Sequence, residues 1–264
     1  MKEVFKFIVY KILRKLYFIF NNESWSIQIL KDNLSVLKLK KNKKFYFADP
    51  FIFEFENRII LLYERYDKIN KIGIIDQNIY DNSFNLISSE NNILKINTHA
   101  SYPFIFKEGD NYYLIPETSS LKKTLLYIFD KNNLKWIFQK SILEDLELID
   151  SNFKLEENNI ILTATVKNPT SLLKYIEITS YNASILNFKK DKIIYSKYRR
   201  NAGFNYNKSE IKFYQTNSIN YYGTGVYSLN QSKQIDISNT LCTNYKGIHH
   251  IIVYKNYIAF DYKK

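Results

Sequence analysis

Cysteine occurs once in the 264 residues, at Cys242, so no internal disulfide framework is available and no Cys/His cluster has zinc-module spacing. A reducing, cytoplasmic setting fits that usage. Glycine and proline are also scarce, at six and four residues. Turns must then be made by Asn, Asp, Ser and Lys, and no phosphate-cradling Gly-rich loop follows a strand. An Asp-x-Asp pair of the kind that holds a nucleotide-sugar metal is missing, and no cofactor or metal site is expected. Long apolar runs are absent too. The most apolar stretch, MKEVFKFIVYKILRKLYFIF, is broken by Lys6, Lys11, Arg14 and Lys15, and reads neither as a spanning helix nor as a cleaved leader.

What is abundant is aromatic residues, 17% of the chain, with a net charge of +12. Heavy Lys, Asn and Ile usage has the look of an AT-rich coding bias, which accounts for part of that charge. The basic residues are spread along the chain with no nucleic-acid motif, so nucleic acid is not an expected partner. On a helix over residues 1–22, Phe5, Ile8, Val9, Ile12, Leu13, Leu16, Ile19 and Phe20 share one face opposite the basic residues. That pattern suits either a helix lying in an anionic membrane interface or one packed on the domain with its lysines solvated.

The rest of the chain repeats. DPFIFEFENRIILLYE (49–64) pairs with YPFIFKEGDNYYLIPE (102–117), and SNFKLEENNIILTAT, AGFNYNKSEIKFYQT and IHHIIVYKNYIAFDY echo them. The starts at 49, 102, 151, 202 and 248 are 53, 49, 51 and 46 residues apart. Each unit is a short strand, a polar turn and a second strand, and aromatic and β-branched residues favour strands. A period near fifty residues is the size of a propeller blade. The sequence therefore predicts an all-β, five-bladed propeller over residues 23–264, preceded by the short amphipathic helix. Blade two reads as strands 102–107, 111–116, 124–129 and 135–140. The last hairpin lacks outer strands, and segments 24–30 and 34–40 are expected to supply them, closing the ring and hiding sheet edges.

If the first strand of each unit lines the centre, its opening residues face a funnel. Asp49, the His99–Pro103 stretch with Tyr102, Asp150, the Arg199-Arg200-Asn201 run and His249-His250 would then converge there, joined by Glu64 and Glu117 from the returning strands. Pro50 rigidifies the strand mouth and removes a backbone donor. All three histidines fall at these positions. His249 and His250 point to opposite faces of a strand, so at most one is expected to reach the funnel. Glu64 stands next to Arg65, an alternative ion-pair partner. Carboxyl groups sharing a funnel shift one another's pKa, and Arg guanidinium suits phosphate.

FADPF…LLYE, HASYPFIF…YYLIPETS, the RRNAGF segment followed by YYGTGVYSL, and GIHHI together resemble the glucosamine inositolphosphorylceramide transferase N-terminal-type domain over roughly residues 24–262. That domain is similar to five-bladed propellers of the family 43 glycoside hydrolase kind. The resemblance implies a carbohydrate-active propeller in sugar-conjugate or surface-polysaccharide synthesis. Family 43-type hydrolases place an Asp base on the first blade, a second Asp near mid-chain and a Glu acid on a later blade. Asp49 and Asp150 match the first two. The fourth unit offers Arg199-Arg200-Asn201-Ala202-Gly203 in place of the Glu, which speaks against hydrolysis, since that chemistry needs a proton donor opposite the base or nucleophile.

The reading that results is a glycosyltransferase-like enzyme, peripheral to the inner membrane face, moving a sugar from a nucleotide- or lipid-phosphate-linked donor to a glycan or lipid-linked acceptor. Asp49, Glu117 and Asp150 are the expected catalytic residues. Glu64, His99, Tyr102, Arg199, Arg200, Asn201, Tyr222, His249 and His250 are the expected substrate-binding ones. A family 43-like hydrolase using Asp49 with Glu117, and a non-catalytic sugar-binding propeller with Tyr102 and Tyr222 as stacking platforms, are the alternatives.

Overall fold

The computed structural model of the chain describes residues 24–167, 173–197, 200–209, 211–217, 222–230, 233–236 and 247–263. The helix expected over residues 1–22 lies outside them. Among the described residues the helical elements are two single 3-10 turns, Ser119–Leu121 and Ile185–Asn187, and no helix is long and apolar enough to cross a membrane.

The remainder is a β-propeller. Strands β1 (Ser26–Lys31) and β2 (Leu34–Leu39) precede three four-stranded antiparallel sheets. The first sheet is β3 (Phe45–Phe55), β4 (Arg58–Asp67), β5 (Ile72–Asp81) and β6 (Leu86–Glu90). The second is β7 (Ser101–Glu108), β8 (Asn111–Glu117), β9 (Lys123–Asp130) and β10 (Lys135–Glu144). The third is β11 (Leu148–Glu156), β12 (Asn159–Lys167), β13 (Leu173–Ser180) and β14 (Lys192–Lys197). After β15 (Gly203–Asn205) come β16 (Lys212–Asn217), β17 (Tyr222–Asn230) and β18 (Lys233–Asp236), a three-stranded sheet. The hairpin β19 (Gly247–Tyr254) and β20 (Tyr257–Lys263) ends the chain.

Closure follows the expected route. β1 pairs antiparallel with β20, from Ser26 opposite Tyr262 to Lys31 opposite Tyr257, and β2 pairs with β1. The predicted five blades are not what forms. Four sheets reach four strands or more, while the β16–β18 sheet has three among the described residues. Strand β15, which the repeat places as the inner strand of that unit, instead runs parallel to β19, with Gly203 opposite Ile251. Its backbone comes so close that a Cβ on Gly203 would lie 1.8 Å from the Ile251 carbonyl oxygen, and the Gly203 φ of 113° likewise suits only glycine.

Adjacent inner strands are locked by aromatic contacts. Phe51 meets Phe104 edge-on at 5.8 Å, Phe104 meets Phe204 at 5.3 Å, and Phe53 packs against Phe129 and Trp136. Edge-to-face pairs of this kind contribute about 0.5–1.5 kcal/mol beyond their buried area.

Four inner strands share one irregularity, and it sets the site. The ladder shifts between Ala48 and Phe51 in β3, Ser101 and Phe104 in β7, Ile149 and Asn152 in β11, and Ile248 and Ile251 in β19. Each shift is a β-bulge that re-aims a side chain. In three of them the first bulge residue is left-handed: Asp49 at φ 50°, Tyr102 at 45° and Asp150 at 50°. Proline follows Asp49 and Tyr102, so the second bulge residue has no N–H to leave unpaired.

Candidate functional site

At the top of the central funnel a cavity of about 260 Å³ is lined by Trp25, Tyr46, Asp49, Glu64, His99, Ser101, Glu117, Ile149, Arg200 and His249, among others. The bulges carry most of these groups inward. Asp261 in β20 accepts hydrogen bonds from the backbone N–H groups of Asp49 (3.0 Å), His249 (3.0 Å) and His250 (2.8 Å). Asp49 Oδ2 in turn accepts from Tyr102 N (3.1 Å), and Glu117 Oε2 from Asp150 N (3.0 Å). Carboxylates on one sheet thus fix the bulge of the next sheet around the ring.

One oxygen of Asp49 is left over. Oδ1 is buried without a hydrogen-bond partner, 3.4 Å from His249 Nδ1. Burial, with the nearby Asp261 and Asp150 charges, pushes the Asp49 carboxyl up to about 7 against the pull of His249 and Arg200. His249 is drawn down by burial, but Asp261, 3.1 Å from its Nδ1, and Asp49 outweigh that and raise it to about 9. At neutral pH it is therefore a cation between two carboxyl groups. The ligand atoms of Asp49, His249 and Asp261 all lie within 4.8 Å of one another, a donor set of the right type for a metal ion. The proton on His249 already supplies the positive charge there, and metal binding would have to displace it.

Glu64 is buried, and its carboxyl is pushed well above the usual range by burial and then by Asp49, Glu117 and Asp261. The ion pair with Arg65 does not form, because Arg65 turns to the other side of β4 and pairs with Asp76 at 2.5 Å. Glu64 faces His99 instead, 3.8 Å away. Gly73 makes that possible: a Cβ there would sit 2.0 Å from Glu64 Oε1 and 2.7 Å from His99 Cε1. Glu117 is raised to about 8 by burial and the Asp150 charge, against Arg200 and the Asp150 N–H. Glu64, raised well above the usual range, and Glu117, raised to about 8, thus share a cavity with Asp49, poised near neutrality.

Arg200 forms a two-point ion pair with Asp150, through Nε to Oδ2 and Nη2 to Oδ1. Both side chains are inside the funnel, but Asp150 is engaged and acts through Arg200. His250 is a correction: it is fully buried beneath the cavity, between the rings of Phe51 and Tyr102, with both ring nitrogens unpartnered, and burial lowers it to about 3. Tyr102 also fails as a stacking platform. Its ring is buried, and its hydroxyl donates to Asn152 Oδ1 (2.8 Å) and accepts from Gly203 N (3.1 Å). Asn201 is tied down as well, donating to the Asp150 and Thr163 carbonyls at 2.7 and 3.0 Å. Arg199 and the Tyr222 side chain lie outside the described part of the structure.

Asp261 and Trp25 are the site residues that reading the repeat missed. Tyr262, opposite Ile248, occupies the ladder position held by Glu64 opposite Ala48 and Glu117 opposite Ser101. Asp261 stands one residue earlier, so aligning the repeats on their glutamates passes over it.

The family model for "Glucosamine inositolphosphorylceramide transferase 1, N-terminal" matches residues 23–240. The chain belongs to that family. Glucosamine inositolphosphorylceramide transferase 1 of rice, in both the indica and japonica subspecies, is 43% identical over 54 residues, 20% of this chain and 7% of the rice protein. The matched part is thus a small fraction of those relatives' length. Among solved structures, the α-L-arabinofuranosidase PaAbf62A from Podospora anserina, in complex with cellotriose, superposes with a TM-score of 0.52 at 11% identity, over 78% of this chain and 77% of that one. An α-L-arabinanase of Penicillium chrysogenum gives 0.47 at 13% identity, over 72% and 65%. At such identities the likeness concerns the fold.

Proposed function

We propose that this chain is a carbohydrate-active propeller that transfers a sugar in surface-glycan or glycolipid synthesis. The observation that carries the reading is the cavity in which Asp49, poised near neutrality, meets the raised carboxyl groups of Glu64 and Glu117 beside the cations His249 and Arg200. Family membership and the name of the rice relatives support sugar transfer as the class.

In the proposed reaction Asp49 takes the proton of an acceptor hydroxyl as its oxygen bonds to the donor's anomeric carbon. The bond from that carbon to a phosphate oxygen breaks, and the phosphate leaves with the electron pair. His249, cationic at neutral pH, and Arg200 stabilise the charge that develops on it. Glu64 and His99 hold sugar hydroxyls, and Trp25 and Tyr46 supply apolar faces at the mouth.

Hydrolysis is the second reading, favoured by one observation: Glu117, raised to about 8, holds its proton at neutral pH, so the cavity does not lack a proton donor although the fourth unit supplies none. Assaying the full chain with nucleotide-sugar donors and with aryl glycosides separates the two. Sugar appearing on an added acceptor supports transfer, and release to water alone supports hydrolysis. Neither product, with sugar binding retained, would reduce the chain to a binding module.

The work place we propose is the cytoplasmic face of a membrane, with the basic amphipathic segment 1–22 as a contact to it. Ser24 and Trp25 follow that segment after Glu23, and Trp25 lines the cavity. Charge reversal at Lys11, Arg14 and Lys15 should release the protein from anionic vesicles; unchanged flotation would refute it.

A further inference from the structure

Beside the cavity mouth runs a basic rim made by two loops, one leading from β2 into β3 and the other joining β4 to β5. Residues 40–44 read Lys-Lys-Asn-Lys-Lys, and 67–71 read Asp-Lys-Ile-Asn-Lys, so six lysines stand against one aspartate. The loops are one surface: Lys68 N donates to the Lys44 carbonyl (3.0 Å) and Lys68 Nζ to the Asn42 carbonyl (2.8 Å). Lys68 Nζ also reaches Ser24 Oγ at 3.4 Å, and Phe47 N donates to the Trp25 carbonyl at 3.2 Å. The rim is thereby stitched to Trp25 and Tyr46 of the cavity wall.

Two properties define the partner. Lys40 and Lys43 on the first loop and Lys71 on the second are exposed, a spread suited to an extended anionic surface; one small anion would need donors converging on a point. At the tip of the second loop Ile69 is 73% exposed, and Asp67 Oδ1 accepts from its backbone N–H (2.8 Å) and from that of Asn70 (3.1 Å), which fixes the turn. An apolar side chain presented among lysines is the pattern of interfacial insertion, in which the hydrocarbon takes the apolar group and the headgroups the charge.

We propose that this rim docks the folded domain on an anionic phospholipid surface, holding the cavity mouth at the headgroups where a lipid-linked sugar is presented. The inference deepens the sugar-transfer reading and rests on it for its purpose. It uses residues independent of the amphipathic segment 1–22.

The test is co-sedimentation of the full chain with vesicles of equal parts phosphatidylcholine and phosphatidylglycerol. The triple variant Lys40→Glu, Lys43→Glu, Lys71→Glu should bind about a hundredfold more weakly, equivalent to about 1 kcal/mol per lysine near such a surface. Reversing three exposed lysines on the second and third sheets, Lys135, Lys190 and Lys192, changes the net charge equally and should cost far less. Ile69→Asp should weaken binding where Leu34→Asp, equally exposed at 72% on the β1–β2 hairpin, does not. Wild-type binding by the rim variant, or equal losses from rim and control variants, would overturn the proposal. Binding of soluble sugars without vesicles reads the cavity alone, so failure there would defeat the sugar reading and leave the docking result standing.

Discussion

Asp261 accepts a hydrogen bond from the backbone N–H of Asp49 at 3.0 Å across 212 residues of sequence. That bond ties the last strand of the chain to the first bulge, so ring closure and placement of the candidate base are one structural event. Asp261 is fully buried, and its carboxyl is held below the usual range: burial opposes ionisation, but His249 and the backbone donors outweigh it. Asp261→Ala leaves three buried N–H groups and a buried imidazolium without their acceptor. A loss of about 3–5 kcal/mol is expected, as for breaking a buried ion pair from one side. Chemical denaturation measures it, and a loss below 1 kcal/mol would mean that the ring closes without this bond.

Stability should depend on pH through His249 and Asp49. His249 has its pKa raised in the fold, from 6.5 to about 9. Its contribution is fully present below pH 6.5 and is lost as pH rises through about 9. Asp49, raised from 3.8 to about 7, likewise favours the fold most when protonated and gives that up between those values. Asp261, with its lowered pKa, acts oppositely, and its contribution is lost as pH falls through the acidic range. Melting curves of His249→Gln should therefore decline less between pH 6.5 and 9 than those of the parent, the remaining slope coming from the raised carboxyl groups of Glu117 and Glu64. The same slope in both proteins would remove His249 from the account.

Gly73→Ala tests the positioning of Glu64 and His99. The added methyl would meet the ends of both side chains, which can swing away, so the fold is expected to survive while the pair separates. A shifted His99 ring signal with near-parental melting is the expected result. An unmoved His99 signal would show that the pair does not depend on this opening.

Asp49→Asn keeps an acceptor for Tyr102 N but removes the base. Sugar transfer should fall about a hundredfold or more, the usual cost of losing general base catalysis, with a modest change in melting temperature. Full activity in this variant would confine Asp49 to fixing the Tyr102 bulge.

Much of this was legible in the sequence because a short apolar strand, a polar turn and a second strand recur at a near-constant step. That is why β1 and β2 were expected to complete the sheet of the final hairpin, and why Asp49, Glu64, Glu117, His99 and one of His249 and His250 were expected at one funnel. What escaped was set by the bulges. A single extra residue moves His250 under the floor and buries the Tyr102 ring, outcomes that strict alternation cannot encode. The fate of β15 depends on how closely Gly203 approaches Ile251, a contact between distant segments that leaves no local pattern. The two-point pairing of Arg200 with Asp150 is a long-range choice of the same sort.

The central claim is that the funnel holds one carboxyl group poised near neutrality beside two others raised well above the ordinary carboxylate range. Carboxyl-detected NMR titration of the full chain, with signals assigned through Asp49→Asn, Glu64→Gln and Glu117→Gln, measures it directly. The account predicts that Asp49 titrates near 7, Glu117 near 8 and Glu64 well above the ordinary range. All three titrating between about 3.5 and 4.5, as in unperturbed side chains, would contradict it.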